Sequence, residues 1–151
     1  MTLEELAARE AIRDVIARYN HAGDRGRLDE LVRCFAEDGV MDLEGLAPLA
    51  GRAAIEAHLA GVVRELASRT QRATLRHHVS SVRIALAEAD RAEAWSYFAV
   101  FTEIGLDHWG RYSDRFVRAG GEWLIALRKV RVDGAAPGSR MFGAPRKQQD
   151  A

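Results

Sequence analysis

Cysteine is almost absent: Cys34 is the only one in 151 residues. It has no partner for an internal disulfide, so the fold must rest on its core, and a reducing, cytoplasmic setting is expected. Lysine is nearly missing too. Only Lys129 and Lys147 occur, and arginine supplies the remaining positive charge. Net charge is lacking, since 22 basic residues cancel 22 acidic ones. A neutral chain has no general attraction for phosphate backbones or anionic lipid, so neither nucleic acid nor membrane is expected as a partner. Long apolar runs are missing: the longest, around Trp95 to Phe101, is strand-sized, far below the roughly 18 residues that span a bilayer. Met1 to Glu10 is acidic and lacks the apolar segment of a targeting signal. There is no GxGxxG, P-loop, GxSxG or CxxC. Metal-ligand spacing is absent as well. His77 and His78 are neighbours in a strand-like segment and would point to opposite faces, while His21, His58 and His108 stand alone. No metal and no cofactor are expected.

What is present amounts to one domain. A chain of this length buries roughly 68–70% of its unfolded surface and needs no staple to fold. Thr2 and Glu5 make a capping box. Ile12, Val15, Ile16 and Tyr19 follow at the spacing of one helix face. Gly23 and Gly26 end that helix. Leu28, Leu31, Val32 and Phe35 repeat the spacing in a shorter second helix, and Val40 to Leu43 fits a short strand. A third helix follows Gly51, with Ile55, Leu59, Val62, Val63 and Leu66 on one side. Beyond residue 72 the composition becomes strand-like over 74–87, 91–103, 109–118 and 123–132, with short turns that favour antiparallel pairing. In segment 91–103, Trp95, Tyr97 and Phe101 share one face, and Phe98 and Val100 the other. A strand apolar on both faces is expected to be central and covered on both sides. Helices first and sheet second is an α+β order, three helices on a curved antiparallel sheet, with a cone-like pocket between the layers for a small hydrophobic molecule. The domain is read over 1–133. The span 134–151 is read as a tail, mobile or packed on a partner subunit.

A few residues stand out chemically. Asp24 lies in the link between the first two helices, where a turn carboxylate or helix cap is the ordinary explanation. One of His77 and His78 must face inward, and strand parity does not decide which. Histidine suits proton transfer near neutral pH. By simple alternation Arg128 shares its face with Leu124, Ala126, Val130 and Val132. A guanidinium there needs an anion: either a buried carboxylate such as Asp114, or a ligand's developing charge. Asp114 shares its face with Tyr112 and Phe116, and Trp109 lies near the start of that strand. His78, Tyr97, Trp109, Tyr112 and Asp114 are expected to line the pocket.

The runs AIRDVIARYNHAGDRGRLDELVRCFAEDGVMDLEG, GRAAIEAHL, RHHVSSVRI and GRYSDRFVRAGGEWLIALRKV, in that order, resemble the SnoaL-like superfamily over residues 5–133. That resemblance implies the nuclear-transport-factor-two-like cone. Within it the chain is most similar to the scytalone dehydratase, bile-acid dehydratase and dehydrochlorinase branches. These use an Asp–His dyad to abstract a proton while a leaving group departs. Carried over residue by residue, the dyad falls on Asp24 and on His77, with His78 as the fallback. Tyr19 matches a tyrosine of the bile-acid branch and Arg128 an arginine of the dehydrochlorinase branch. The resemblance therefore implies a cofactor-independent lyase, a dehydratase acting on a small hydrophobic cyclic or polyketide-like molecule. A polyketide cyclase or isomerase in the same pocket, or a non-catalytic binding or assembly module, are the alternatives. It also implies a homo-oligomer, dimer or trimer.

Overall fold

The computed structural model describes residues 1–68 and 74–142. Three helices precede most of the sheet. Helix α1 spans Leu3–Asp24, α2 Leu28–Arg33 and α3 Arg52–Ala67. The strands are β1 Phe35–Leu43, β2 Leu49–Ala50, β3 Arg76–Glu88, β4 Arg91–Thr102, β5 Gly105–Ala119 and β6 Glu122–Ala135.

The capping box starts α1. Glu5 N donates to Thr2 Oγ1 at 3.1 Å, and Thr2 N to Glu5 Oε2 at 2.7 Å, which satisfies two donors no earlier turn can reach. Ile12, Val15 and Ile16 are buried, as their spacing requires. Helix α2 is shorter than expected. It stops at Arg33, Cys34 caps it, and Phe35 begins β1 instead of closing a helical stripe. Phe35 is fully buried, and its carbonyl accepts two bonds from the Arg52 guanidinium, at 2.9 and 2.6 Å, at the start of α3. Gly51, at φ 87°, makes the turn into α3 that a side chain would strain.

The six strands run in the order β2-β1-β6-β5-β4-β3. The pairs β3–β4, β4–β5 and β5–β6 are antiparallel, as short turns dictate. The β1–β6 pair is parallel, so the sheet is mixed and not purely antiparallel. The chain passes through α3 and four strands, β2 to β5, before it returns beside β1, which allows a parallel approach. The helices cover one face, where Ile12, Val15, Phe35, Ile55, Ile84, Phe116 and Ile125 form the main core.

The other face is open. Trp95, Trp109 and Phe101 are about 40% exposed and Tyr97 is 58% exposed, whereas Phe98 and Val100 are buried. Strand β4 is interior to the sheet, and this chain covers only one of its two apolar faces.

The ladders shift register at six places, and three of these bear on the site. Between β3 and β4 the register shifts across Ser80–Arg83, and Ser81 adopts φ 53°. Between β4 and β5 it shifts at Val100–Phe101, leaving Asp107 as the extra residue. Between β5 and β6 it shifts at Arg115–Phe116, leaving Ala126 extra. Each extra residue bends the sheet and reverses the in–out parity beyond it.

The span read as a tail is partly structured. Strand β6 runs to Ala135, Ala136 N donates to the Asp107 carbonyl at 2.7 Å, and Ser139 is buried. Residues 134–142 thus pack on their own sheet, because Asp107 supplies acceptors for them, while 143–151 lie outside the described residues. Among the described residues no helix is long and apolar enough to cross a membrane.

Candidate active site

The last residue of α1 and the first turn of β3 meet at one point. Asp24 uses both carboxylate oxygens on a single residue: Oδ2 accepts from His77 N at 3.0 Å, and Oδ1 lies 2.5 Å from His77 Nδ1. The side chains are 22% exposed for His77 and 11% for Asp24. A carboxylate can only accept, so this contact selects the tautomer with hydrogen on Nδ1 and leaves Nε2 with a lone pair.

The bulge at Ser80–Ser81 settles which histidine faces inward. Before it, His77 and Val79 lie on the helix side; after it, Val82, Ile84 and Leu86 do. His78 is on the outer face, its ring 5.0 Å from that of Phe101.

Beside the dyad lies a second apolar cluster, separate from the main core. Phe98, Val100 and Tyr112 form it, with Leu75, Val79, Val130 and Val132 packed against them. The His77 and Phe98 rings are 6.5 Å apart, and Phe98 stacks on Tyr112 at 4.7 Å.

Deeper in, Arg128 is fully buried and forks onto Asp114. Nε donates to Oδ1 at 2.9 Å and Nη2 to Oδ2 at 2.7 Å. Its guanidinium lies between the rings of Tyr19 and Tyr112, 4.2 Å from each centroid. The cation is therefore neutralised within the protein, and Nη1 is its one nitrogen with no hydrogen-bond partner among the described residues. The face of β6 that carries it differs from simple alternation. The bulge at Ala126 puts Trp123 and Ile125 inside with Arg128, instead of Leu124 and Ala126. Burial lowers the Arg128 pKa, but the adjacent Asp114 outweighs it and holds the group above its ordinary range. Burial raises the Tyr19 hydroxyl, against an opposing pull from Arg128, so Tyr19 stays a phenol and a donor. Tyr112 is raised by burial in the same way, and its hydroxyl donates to Asn20 Oδ1 at 3.4 Å.

Asp24, His77, Tyr19, Tyr112, Asp114 and Arg128 thus share the helix side of the sheet. Tyr97 and Trp109 do not, and neither does His78. Alternation about Phe98 and Tyr112 turns Tyr97 and Trp109 outward, so these three lie off the helix side, where the pocket is expected. Tyr97 instead lines an outer groove of about 500 Å³ with Arg83, Trp95 and Arg111.

One pair was not anticipated. Asp107 Oδ1 lies 2.8 Å from His108 Nδ1, with both side chains nearly or fully buried. Adjacent strand residues normally face apart; the bulge at Asp107 lets both point inward. Among the described residues, no three potential metal-ligating side chains are grouped.

An α+β cone, with a carboxylate-held imidazole at the edge of an apolar cluster, defines a class of small-molecule domains. The chain belongs to the SnoaL-like domain family, whose model matches residues 4–129. Solved structures agree. A candidate scytalone dehydratase from Novosphingobium aromaticivorans is 22% identical, with 100% of this chain and 99% of that one covered, at TM-score 0.80. An NTF2-like protein with a cystatin-like fold from the same organism is 28% identical over 92% and 95%, at TM-score 0.73. A protein from Catenulispora acidiphila in complex with S-DNPA is 28% identical over 85% and 95%, also at 0.73. No curated protein matches the chain.

Proposed function

We propose that the protein is a lyase, a dehydratase acting on a small hydrophobic cyclic or polyketide-like molecule, with its chemistry carried by side chains. The observation that carries this reading is the double grip of Asp24 on His77, through the backbone N–H at 3.0 Å and the ring Nδ1 at 2.5 Å. A carboxylate so placed orients the ring and stabilises the imidazolium that forms when Nε2 takes a proton. The proton leaves a carbon beside an activating carbonyl. Its electron pair becomes the new double bond as the carbon–oxygen bond breaks, and the hydroxide departs as water with a proton from the imidazolium. Tyr19, a protonated phenol, donates to the carbonyl. Arg128 acts at one remove: lying over the Tyr19 ring and already paired with Asp114, it makes that phenol a better donor and holds it in place.

The candidate scytalone dehydratase among the structural neighbours supports the reaction type through its fold alone. The S-DNPA complex of a neighbour supports the binding of a small molecule. The exposed aromatics of the outer face, Trp95, Tyr97, Phe101 and Trp109, suit burial against a second copy, so we also expect a homo-oligomer. Light scattering on wild type and Trp95→Asp would show a shift toward monomer.

Screening small cyclic hydroxyketones for products lighter by one water tests the reaction. An active compound should lose turnover in both Asp24→Asn and His77→Ala. Turnover unchanged in both variants would sink the dyad, and products of unchanged mass would indicate a cyclase or isomerase.

A further inference from the structure

We infer that His108 is a second imidazole serving the same apolar cluster, and that it selects substrates carrying a hydroxyl other than the departing one. The inference rests on the lyase reading for the cluster being the substrate site. Its own support is the placement of the two pairs.

His77 is in register with Val100, and Val100 with His108. The two histidines therefore stand in one row across three strands, their backbones about 10 Å apart at two strand spacings. Phe98 lies between them, its ring 6.5 Å from His77 and 6.1 Å from His108. Each imidazole is held the same way, with an aspartate oxygen on Nδ1.

The holder of His108 is built with more care than its position requires. Asp107 is fully buried, and besides His108 it accepts from Ser139 Oγ at 2.6 Å, Arg140 N at 2.6 Å and Thr102 Oγ1 at 3.2 Å. A carboxylate with that many donors is locked in orientation, and so is the ring it holds. Phe142 completes the enclosure, edge-on to His108 at 4.8 Å.

The chemistry of the exposed nitrogen follows. With hydrogen on Nδ1, Nε2 of His108 is an acceptor, and among the described residues no hydrogen bond reaches it. Burial holds the His108 pKa below its ordinary value, only partly opposed by Asp107, so the ring stays neutral. A neutral acceptor among phenyl rings is satisfied by a donor and left unpaired by an ether or ketone. A hydroxyl on an otherwise apolar ring is the group that fits.

Calorimetric titration with 2-naphthol and 2-methoxynaphthalene tests this without turnover. Wild type should bind the naphthol about tenfold more tightly, the effect of one hydrogen bond in an apolar site. His108→Phe should bring the two affinities together, and His77→Phe should leave the preference in place. Should His108→Phe fail to fold, ¹⁵N spectra of the wild-type histidines serve instead: Nε2 of His108 should shift with naphthol and not with the ether. Equal affinities in wild type, binding of neither probe, or a preference that His108→Phe keeps would overturn the inference. A preference that maps to His77 overturns it while leaving the lyase reading intact. A preference that maps to His108, with full turnover in Asp24→Asn, would do the reverse.

Discussion

The two carboxylate–imidazole pairs on the inner face look alike in geometry and differ in everything around them. Asp24 and His77 are 53 positions apart and come from different elements, whereas Asp107 and His108 are adjacent in one strand. The first pair keeps partial access to solvent, at 11% and 22% exposure; the second is at 0% and 7%. Asp24 spends both oxygens on His77. Asp107 spends its oxygens on His108, on Thr102 of β4 and on the segment after β6. The lesson is one of division. A pair that only orients an imidazole can be removed at the expense of chemistry, whereas a pair that also anchors backbone cannot be removed without loss of stability.

Substitutions at the two pairs should separate them. Asp24→Asn should lower turnover of an identified substrate by about 10²–10⁴-fold, the usual worth of general-base catalysis, with the melting temperature nearly unchanged. Steady-state kinetics beside thermal unfolding would check both halves. Asp107→Asn should do the opposite in emphasis, costing about 2–3 kcal/mol of stability because a single amide oxygen cannot serve all of its donors. For a chain of this length that is a drop of roughly 5–10 °C in the midpoint. Ser139→Ala removes one bond to Asp107 and should cost about 1 kcal/mol, read by denaturant midpoint.

The pairs should also separate by pH. Burial, with partial opposition from Asp107, holds His108 below its ordinary 6.5. The unfolded chain therefore takes up the proton first. The stability from a neutral His108 is fully present above about pH 6.5 and is lost as pH falls through the folded value. Asp107 is pushed up by burial but held below 3.8 overall by Ser139, Arg140 N–H and His108, so its contribution persists above that pH and disappears below it. Midpoints measured from pH 7 to 5 should decline in wild type and decline less in His108→Gln.

Much of the scaffold was legible in the residues themselves. Ile12, Val15 and Ile16 declare α1, Thr2 and Glu5 declare its start, and the four strand-like segments appear as β3 to β6 within a few residues. What alternation could not reveal were the bulges. They decide whether His77 or His78 faces in, which residues flank Arg128, and that Asp107 and His108 can point the same way. A bulge is one extra residue favoured by long-range pairing, and it leaves little local signature. Ser81 at φ 53° is the only non-glycine residue with positive φ among those described, and a serine carries no strong preference for that conformation. Exposure of Trp95, Tyr97 and Trp109 was hidden for a different reason. Apolar residues on both faces say that both faces are covered at some time, but not by what.

The central claim is that Asp24 fixes His77 with hydrogen on Nδ1 and leaves Nε2 free to take a proton. Long-range ¹H–¹⁵N correlation of the histidine rings at neutral pH tests it most directly. Wild type should show His77 as the Nδ1–H tautomer, with that preference weakened or lost in Asp24→Asn. A His77 that carries its proton on Nε2 in wild type, or one whose tautomer ignores the Asp24 substitution, would contradict the account.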